Sequence, residues 1–473
     1  MTTTNKEIYD AVIIGAGISG LICGCYLAKA GMKVLIAEQH HKPGGYCTTF
    51  KRKGFSFDAT AHCFGGYREN GMTRKVFEDL GINKKIKIIR SDPASQVVMA
   101  DKEVFFWSDV NKTIHSFQAA FPDESNEIEN FFYFLIKPNP SSFSRIRSSS
   151  FGDLLNDYFK NEKLKSILSA PLLGIGGLPS SQMSAFIGAK LFSEFLIDGG
   201  YYPEGGMQTL SDAIADRFRE LGGELKLSCL VSKIKVKDNK IRGIIIEKEG
   251  FIPSNYVISN CDARQTFLKL IGKTVIPQDF ILKIKKMTPS LSDFILYIGT
   301  DGNFESSLIP GINLCFFLHY DLERAYLAAR KCDIDGFGGF LLHVAHDKST
   351  ILAYIPASYK NKSYWDNNKH NFMEFLVKQI EKYAVPNLSK HILYKEAASP
   401  HTLHRYTLNY RGASYGWAGT SSQLADPDLR KPSFIQGLYL TGHWATLGVG
   451  ISGVIYVGYD TAKLIVRKEK IGV

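Results

Sequence analysis

The first fifty residues constrain the fold more tightly than any other stretch. An apolar run, Tyr9-Asp10-Ala11-Val12-Ile13-Ile14, leads into Gly15-Ala16-Gly17-Ile18-Ser19-Gly20. A helical pattern follows to Ala30 and stops at Gly31. A second strand, Lys33-Val34-Leu35-Ile36-Ala37, ends at Glu38. Each glycine has its own task. The first allows the tight turn, the second lets a pyrophosphate approach bare backbone, and the third lets helix pack on sheet. The N–H groups at the start of that helix face the phosphates. Glu38, at the end of the second strand, accepts both ribose hydroxyls and repels a 2′-phosphate, which argues against NADP. The other reading is a strand–helix–strand unit whose glycines serve packing alone.

A second glycine pair, Gly44-Gly45, comes six residues after Glu38 and turns the choice from NAD to FAD. An NAD site rarely needs another glycine turn there. Gln39 stands beside the ribose acid. Cys47-Thr48-Thr49-Phe50 follows the pair, and Gly54-Phe55-Ser56-Phe57-Asp58-Ala59-Thr60-Ala61-His62 comes next. Here the chain resembles the phytoene desaturase, carotenoid isomerase and retinol saturase group of the flavin amine oxidase superfamily. The resemblance implies that Ala61 and His62 lie near the isoalloxazine ring. It implies that backbone near Val231 lies against the adenine, and it places Asn260 beside the cofactor.

A third signal closes the chain. Gly437-Leu438-Tyr439-Leu440-Thr441-Gly442-His443-Trp444 reads as a strand running into a loop, with Gly448, Gly450 and Gly453 beyond it. A helix is predicted from about Ile451 to Val466. Its N-terminus, with Gly442, His443, Gly450 and Ile451, would face the pyrimidine end and ribityl chain of a flavin. The chain departs from the group's pattern at Leu447 and Val449, where more glycine and proline is usual. It departs again at Tyr46, where Asn or Arg is common.

The resemblance implies an α/β fold, with a Rossmann-type FAD-binding domain in three discontinuous segments (1–85, 200–275 and 396–473). An inserted α+β substrate-binding domain takes 86–199 and 276–395. A length of 473 residues agrees with two domains. Pattern predicts packed helices over 151–197 and a helix with apolar positions Leu210, Ile214, Phe218 and Leu221. It predicts strands near 225–236, 241–247, 255–260, 292–299, 313–318 and 350–355, and a helix near 370–384.

Eight cysteines show no paired spacing and no metal-ligand pattern, so no metal is expected. They read as small buried residues of a reduced compartment. No signal peptide and no run of eighteen apolar residues is found, so the expected setting is cytoplasmic, with peripheral membrane contact allowed. The net charge of +11 suits an anionic membrane or acidic substrate, or simply a lysine-rich surface. The basic residues are scattered without a recognition motif, which excludes nucleic acid as the favoured partner.

Membership of the group would make the chain an FAD-dependent oxidoreductase acting on carbon–carbon bonds of a polyene, isoprenoid or other lipid-like substrate. Desaturation, saturation and cis–trans isomerisation all need a dry apolar site beside the flavin. The alternatives are an FAD amine oxidase and a prenyl-lipid escort of the same fold without flavin chemistry. His62, His443 and Tyr415 are the catalytic candidates, since such groups can hold or pass protons. Tyr201, Tyr202 and Tyr410 are further candidates for the flavin face, and Arg405 and Arg411 for an anionic head group. Cys47 and Cys63 do not sit where covalent amine oxidases carry their flavin link.

Overall fold

The computed structural model describes residues 8–137, 146–306, 308–423, 427–446 and 450–471. Leu447, Gly448, Val449 and most of the Pro- and Ser-rich stretch from Pro138 lie outside the described residues. The fold is mixed α/β, built on two large sheets.

The first sheet has a parallel centre. Tyr9–Ile14 lies between Val34–Ala37 on one side and the end of Gly250–Ser259 on the other. Glu224–Lys226 extends the sheet beyond Val34–Ala37, and Leu438–Leu440 beyond Val257–Ser259. The last four residues of Tyr9–Ile14 are buried, as an apolar strand covered on both faces requires. The helix Ile18–Lys29 packs against the closing helix Gly450–Ile471 and against Met207–Glu220. Gly458 makes this close crossing feasible, because a Cβ there would sit 2.4 Å from the Ser19 carbonyl oxygen.

The strand expected over 225–236 is two strands. Ser228 takes a left-handed conformation (φ 57°) and turns the chain. Glu224–Lys226 therefore stays in the parallel sheet, while Val231–Lys237 starts an antiparallel ribbon with Lys240–Ile246 and Gly250–Pro253. The same turn carries the Cys229 N–H to the Glu38 carbonyl oxygen at 2.8 Å. Val231 is thereby brought towards the ribose acid.

The second sheet runs in the order 392–398, 292–300, 350–357, 339–344, 313–317, 95–99, 102–106. It draws strands from two distant stretches of chain, joined where Ser95–Met99 pairs in parallel with Asn313–Phe317. Patterning missed the hairpin at 95–106, where Ser95 and Gln96 are buried polar residues, and the strand Gly339–Val344, whose run Phe340-Leu341-Leu342 is buried without alternation. The faces of this sheet differ. Phe294, Leu296 and Ile298 enter a large apolar core, where Phe294 packs on Trp365 and Phe372 of helix Lys362–Tyr383. Their neighbours in the same strand, Asp293, Ile295 and Tyr297, take the opposite face.

Candidate active site

A cavity of about 860 Å³ runs along the C-terminal edge of the first sheet. Gly15, Gly17, Ile18, Ser19, Glu38 and Gln39 line it from the first segment. Gly44 is locked beside this turn by its N–H, which donates to the Ala16 carbonyl at 2.8 Å. Gly44 and Gly45 line the cavity as well. Asn260 closes the floor, its Nδ2 donating to the Gly15 carbonyl at 3.3 Å. A Cβ on Gly17 would lie 2.9 Å from that Asn260 nitrogen, and one on Gly20 would lie 2.3 Å from the Gly15 carbonyl oxygen. Gly17 is thus at the cavity wall, whereas Gly20 lies off this cavity and serves the packing of helix on turn.

Glu38 is held by two backbone N–H groups. One carboxylate oxygen accepts from Ala16 at 2.7 Å and the other from His40 at 2.8 Å. Ala16 therefore spends its N–H on Glu38 and does not line the cavity. Burial raises the Glu38 pKa, and the N–H groups of His40 and Ala16 oppose that shift. Each oxygen keeps a further lone pair for a hydroxyl. Val231 lies on the same wall.

At the far end, Gly442 and His443 complete the cavity. Gly442 has φ 81°, and a Cβ there would meet Asn260 Oδ1 at 2.5 Å. Ser19 and Thr441 tie the first and last segments together through their hydroxyls, 2.7 Å apart. Bare backbone, a helix N-terminus and a carboxylate at the end of the second strand make this cavity fit an extended dinucleotide such as FAD.

A second, inner cavity of about 210 Å³ opens from the first. Tyr46, Cys47, Thr60, His443 and Val454 line both. Pro171, Leu191, Phe195, Leu196, Leu314 and Leu341 make much of the inner wall apolar. Its polar side is the Asp293 face of the second sheet, with Ser95, Asp293, Asn313 and Tyr354. Ala61, His62, Gly450 and Ile451, expected at the cofactor, line this inner cavity and not the outer one.

The sequence profile of the flavin containing amine oxidoreductases matches residues 18–466. The chain belongs to that family. FAD is the cofactor that the outer cavity is shaped for. Among curated relatives, all-trans-retinol 13,14-reductase of Danio rerio is 24% identical, over 98% of this chain and 87% of that protein. A chloroplastic prolycopene isomerase of Daucus carota is 23% identical, over 95% and 78%. An oxidoreductase from Methanosarcina mazei shares the fold with a TM-score of 0.70 at 16% identity, covering 96% of this chain and 99% of that one.

The three catalytic candidates of this flavoprotein come together on the inner cavity, in different states. His443 stands at the junction of the two cavities, and burial lowers its pKa to about 4, so the ring is neutral at neutral pH. Burial also lowers the pKa of His62, whose Nδ1 lies 3.1 Å from the Thr60 carbonyl and whose ring centre is 5.0 Å from that of His343. Tyr415 lines the cavity, but its hydroxyl donates to the Gly174 carbonyl at 2.9 Å. That hydrogen is committed to the backbone, so the side chain anchors the wall rather than offering a proton.

Tyr201, Tyr202 and Tyr410 line neither cavity. Tyr201 donates to Asp198 at 3.0 Å and Tyr202 to Asp58 at 2.8 Å. The Arg264 guanidinium covers Tyr410, 4.1 Å from the ring centre. Arg405 lines the outer cavity with Lys42, Lys51, Arg52 and Lys369, while Arg411 lines neither. Burial pushes the thiols of Cys47 and Cys63 up to about 12 and about 11, which keeps them as unreactive thiols. Among the described residues no cluster of three His, Cys, Asp or Glu could hold a metal.

Sequence reasoning missed Asp293, Asn313, His343 and Tyr354. Phe294 to Ile298 read simply as an apolar strand. The available signal was the two-residue period, which puts Asp293 on one face with Ile295 and Tyr297.

Proposed function

We propose that this flavoprotein changes the saturation or geometry of a carbon–carbon double bond in a polyene, isoprenoid or similar lipid. One observation carries the reading: an inner cavity with a largely apolar wall meets the dinucleotide cavity at Tyr46 and His443. The printed activities of the retinol reductase and prolycopene isomerase relatives support it. In this reading the three segments around the first sheet hold FAD, and the second sheet with its helices holds the lipid. FAD supplies hydride-transfer chemistry when bound. Gly15, Gly17 and Glu38 fix the nucleotide, and Gly442 and His443 border the ring end. Leu191, Phe195 and Leu341 exclude water and align the chain. His443 is neutral and adds no charge beside the ring. The charge of +11 supports contact with an anionic membrane surface as a source of such a substrate. No described helix is long and apolar enough to cross a membrane.

An amine oxidase would need groups that recognise an amine, and the inner wall offers one carboxyl, Asp293, in an otherwise largely apolar lining. The complete glycine cradle speaks against an escort without flavin. The test is anaerobic incubation of the holoprotein, with its flavin oxidised and again after reduction by dithionite, with all-trans-retinol and prolycopene, and aerobic incubation of the yellow form with a panel of amines. A changed polyene absorption spectrum is expected. Hydrogen peroxide release with amines, and no change in any polyene, would replace this reading with the amine oxidase one.

A further inference from the structure

Among the described residues Asp58, Asp198, Asp262 and Asp293 are shielded carboxyls, and the first three are fully engaged. Asp58 accepts from Thr49, Tyr202 and the Met207 N–H at 2.6, 2.8 and 2.9 Å. Asp198 accepts from Arg68 and Tyr201, and Asp262 from the N–H groups of Gln265 and Tyr410. Asp293 is different. It is 6% exposed and accepts one hydrogen bond, from the Ser414 hydroxyl at 2.5 Å, through Oδ2. Among the described residues no donor reaches Oδ1. The side chain is on the cavity face of its strand and is the one carboxylate lining the inner cavity, which no described lysine or arginine lines. A buried carboxyl with a free oxygen and no cation costs stability, and a task in the cavity explains why it is kept.

We propose that Asp293 is the proton-exchanging catalytic residue of the inner cavity. The inference rests on the lipid reading above. Interconverting CH–CH and C=C moves two electrons and two protons. Two electrons and one proton leave together as hydride, the share that flavin chemistry accepts. The second proton passes to Asp293 Oδ1, and the electron pair of its C–H bond becomes the π bond. In the saturating direction the same carboxyl returns that proton to carbon. No water and no external base is needed at the carbon.

The surroundings tune this group. Tyr46, Tyr297, Tyr354 and Tyr415 face it as neutral phenols whose own pKa values burial has raised. His62, Cys63 and His443 stand on the same cavity wall, each uncharged in its buried state. Burial raises the Asp293 pKa to about 7, and the Ser414 hydrogen bond opposes the shift. A carboxyl poised near neutrality can give and take a proton with comparable ease.

The test compares flavin-loaded wild type, Asp293→Asn and Ser414→Ala in two measurements. Infrared difference spectra without lipid should show a protonated carboxyl that titrates near neutral pH in wild type and is missing from Asp293→Asn. In Ser414→Ala the titration should move to higher pH, since the hydroxyl no longer favours the charged form. With the flavin reduced beforehand by dithionite and all-trans-retinol or prolycopene as probe, single-turnover absorbance changes should slow by about 100-fold in Asp293→Asn while polyene binding persists. A wild-type rate and pH profile in Asp293→Asn would overturn the proposal. If wild type alters neither polyene, the lipid reading fails, and the infrared titration alone judges Asp293: no carboxyl signal overturns its role as a proton carrier. If Asp293→Asn does not fold, an unmoved titration in Ser414→Ala overturns it instead.

Discussion

The two cavities meet at Tyr46 and His443, yet they are made from opposite materials. The outer one is shaped by missing side chains. At its nucleotide end Gly15, Gly17, Gly44 and Gly442 leave bare backbone, and the side chains of Glu38 and Asn260 there are tied to that backbone. The inner one is shaped by side chains from a sheet face and from helices far apart in the chain. Backbone recognition tolerates little change in sequence. A side-chain wall can be rewritten residue by residue while the sheet behind it stays. The difference separates the part of the site that holds the cofactor from the part that chooses the substrate.

The sharpest way to break this contrast is at Gly17. A valine there would press on Asn260 Nδ2, 2.9 Å from the first added carbon, and would project into the outer cavity. Gly17→Val is expected to lose bound flavin altogether, read as a colourless protein after gel filtration. A protein that stays fully yellow would mean that the cofactor lies elsewhere.

The same contrast explains what was legible in the sequence. Glycine spacing is local, so Gly15 to Gly20, Gly44-Gly45 and the strand before Gly442 stood out from neighbours a few residues apart. The first sheet followed from them. The inner wall is assembled from strands 95–99, 292–300, 313–317, 339–344 and 350–357, and contacts so distant leave no local pattern. Asn313 and His343 are thirty residues apart and become partners, 3.2 Å from Oδ1 to Nδ1, only through strand register. Helix 362–383 was legible in its second half alone, because its first turns carry Asn, Lys and His.

The second effect in size concerns Asp293 and stability. Its carboxyl has a pKa of about 7 when folded and an ordinary carboxylate value when unfolded. The folded state therefore holds a proton that the unfolded state has lost. Stability from this group is complete at acid pH and is lost as pH rises through the folded pKa. Asp293→Asn has no such proton. Across the range from about pH 4 to about pH 7, its stability relative to wild type should rise by up to about 4 kcal/mol. Urea unfolding at a series of pH values checks the slope, and parallel curves would show that Asp293 ionises freely.

Glu38 offers a smaller step on the outer side. In Glu38→Gln one backbone N–H, from Ala16 or His40, would confront an amide NH2 in place of an acceptor. The ribose hydroxyls would also lose their charged acceptor, which is worth about 2 kcal/mol, or roughly thirtyfold in flavin affinity. Fluorescence titration of the flavin-free protein with FAD measures it. An unchanged affinity would remove Glu38 from the ribose site.

Tyr415 gives the smallest and most discriminating effect. Its ring is part of the inner wall, and its hydroxyl is spent on the carbonyl of Gly174, near the end of helix Glu162–Gly176. Tyr415→Phe keeps the ring and leaves one carbonyl without its donor. The expected cost is about 1 kcal/mol of stability, with polyene turnover changed by less than about threefold. A proton donor would behave otherwise, because removing it costs about 100-fold or more in rate and alters the pH profile. Measured beside Asp293→Asn, Tyr415→Phe separates a wall residue from a working one. A large rate loss in Tyr415→Phe at unchanged stability would move the proton chemistry from the sheet face to the loop at Ser414 and Tyr415.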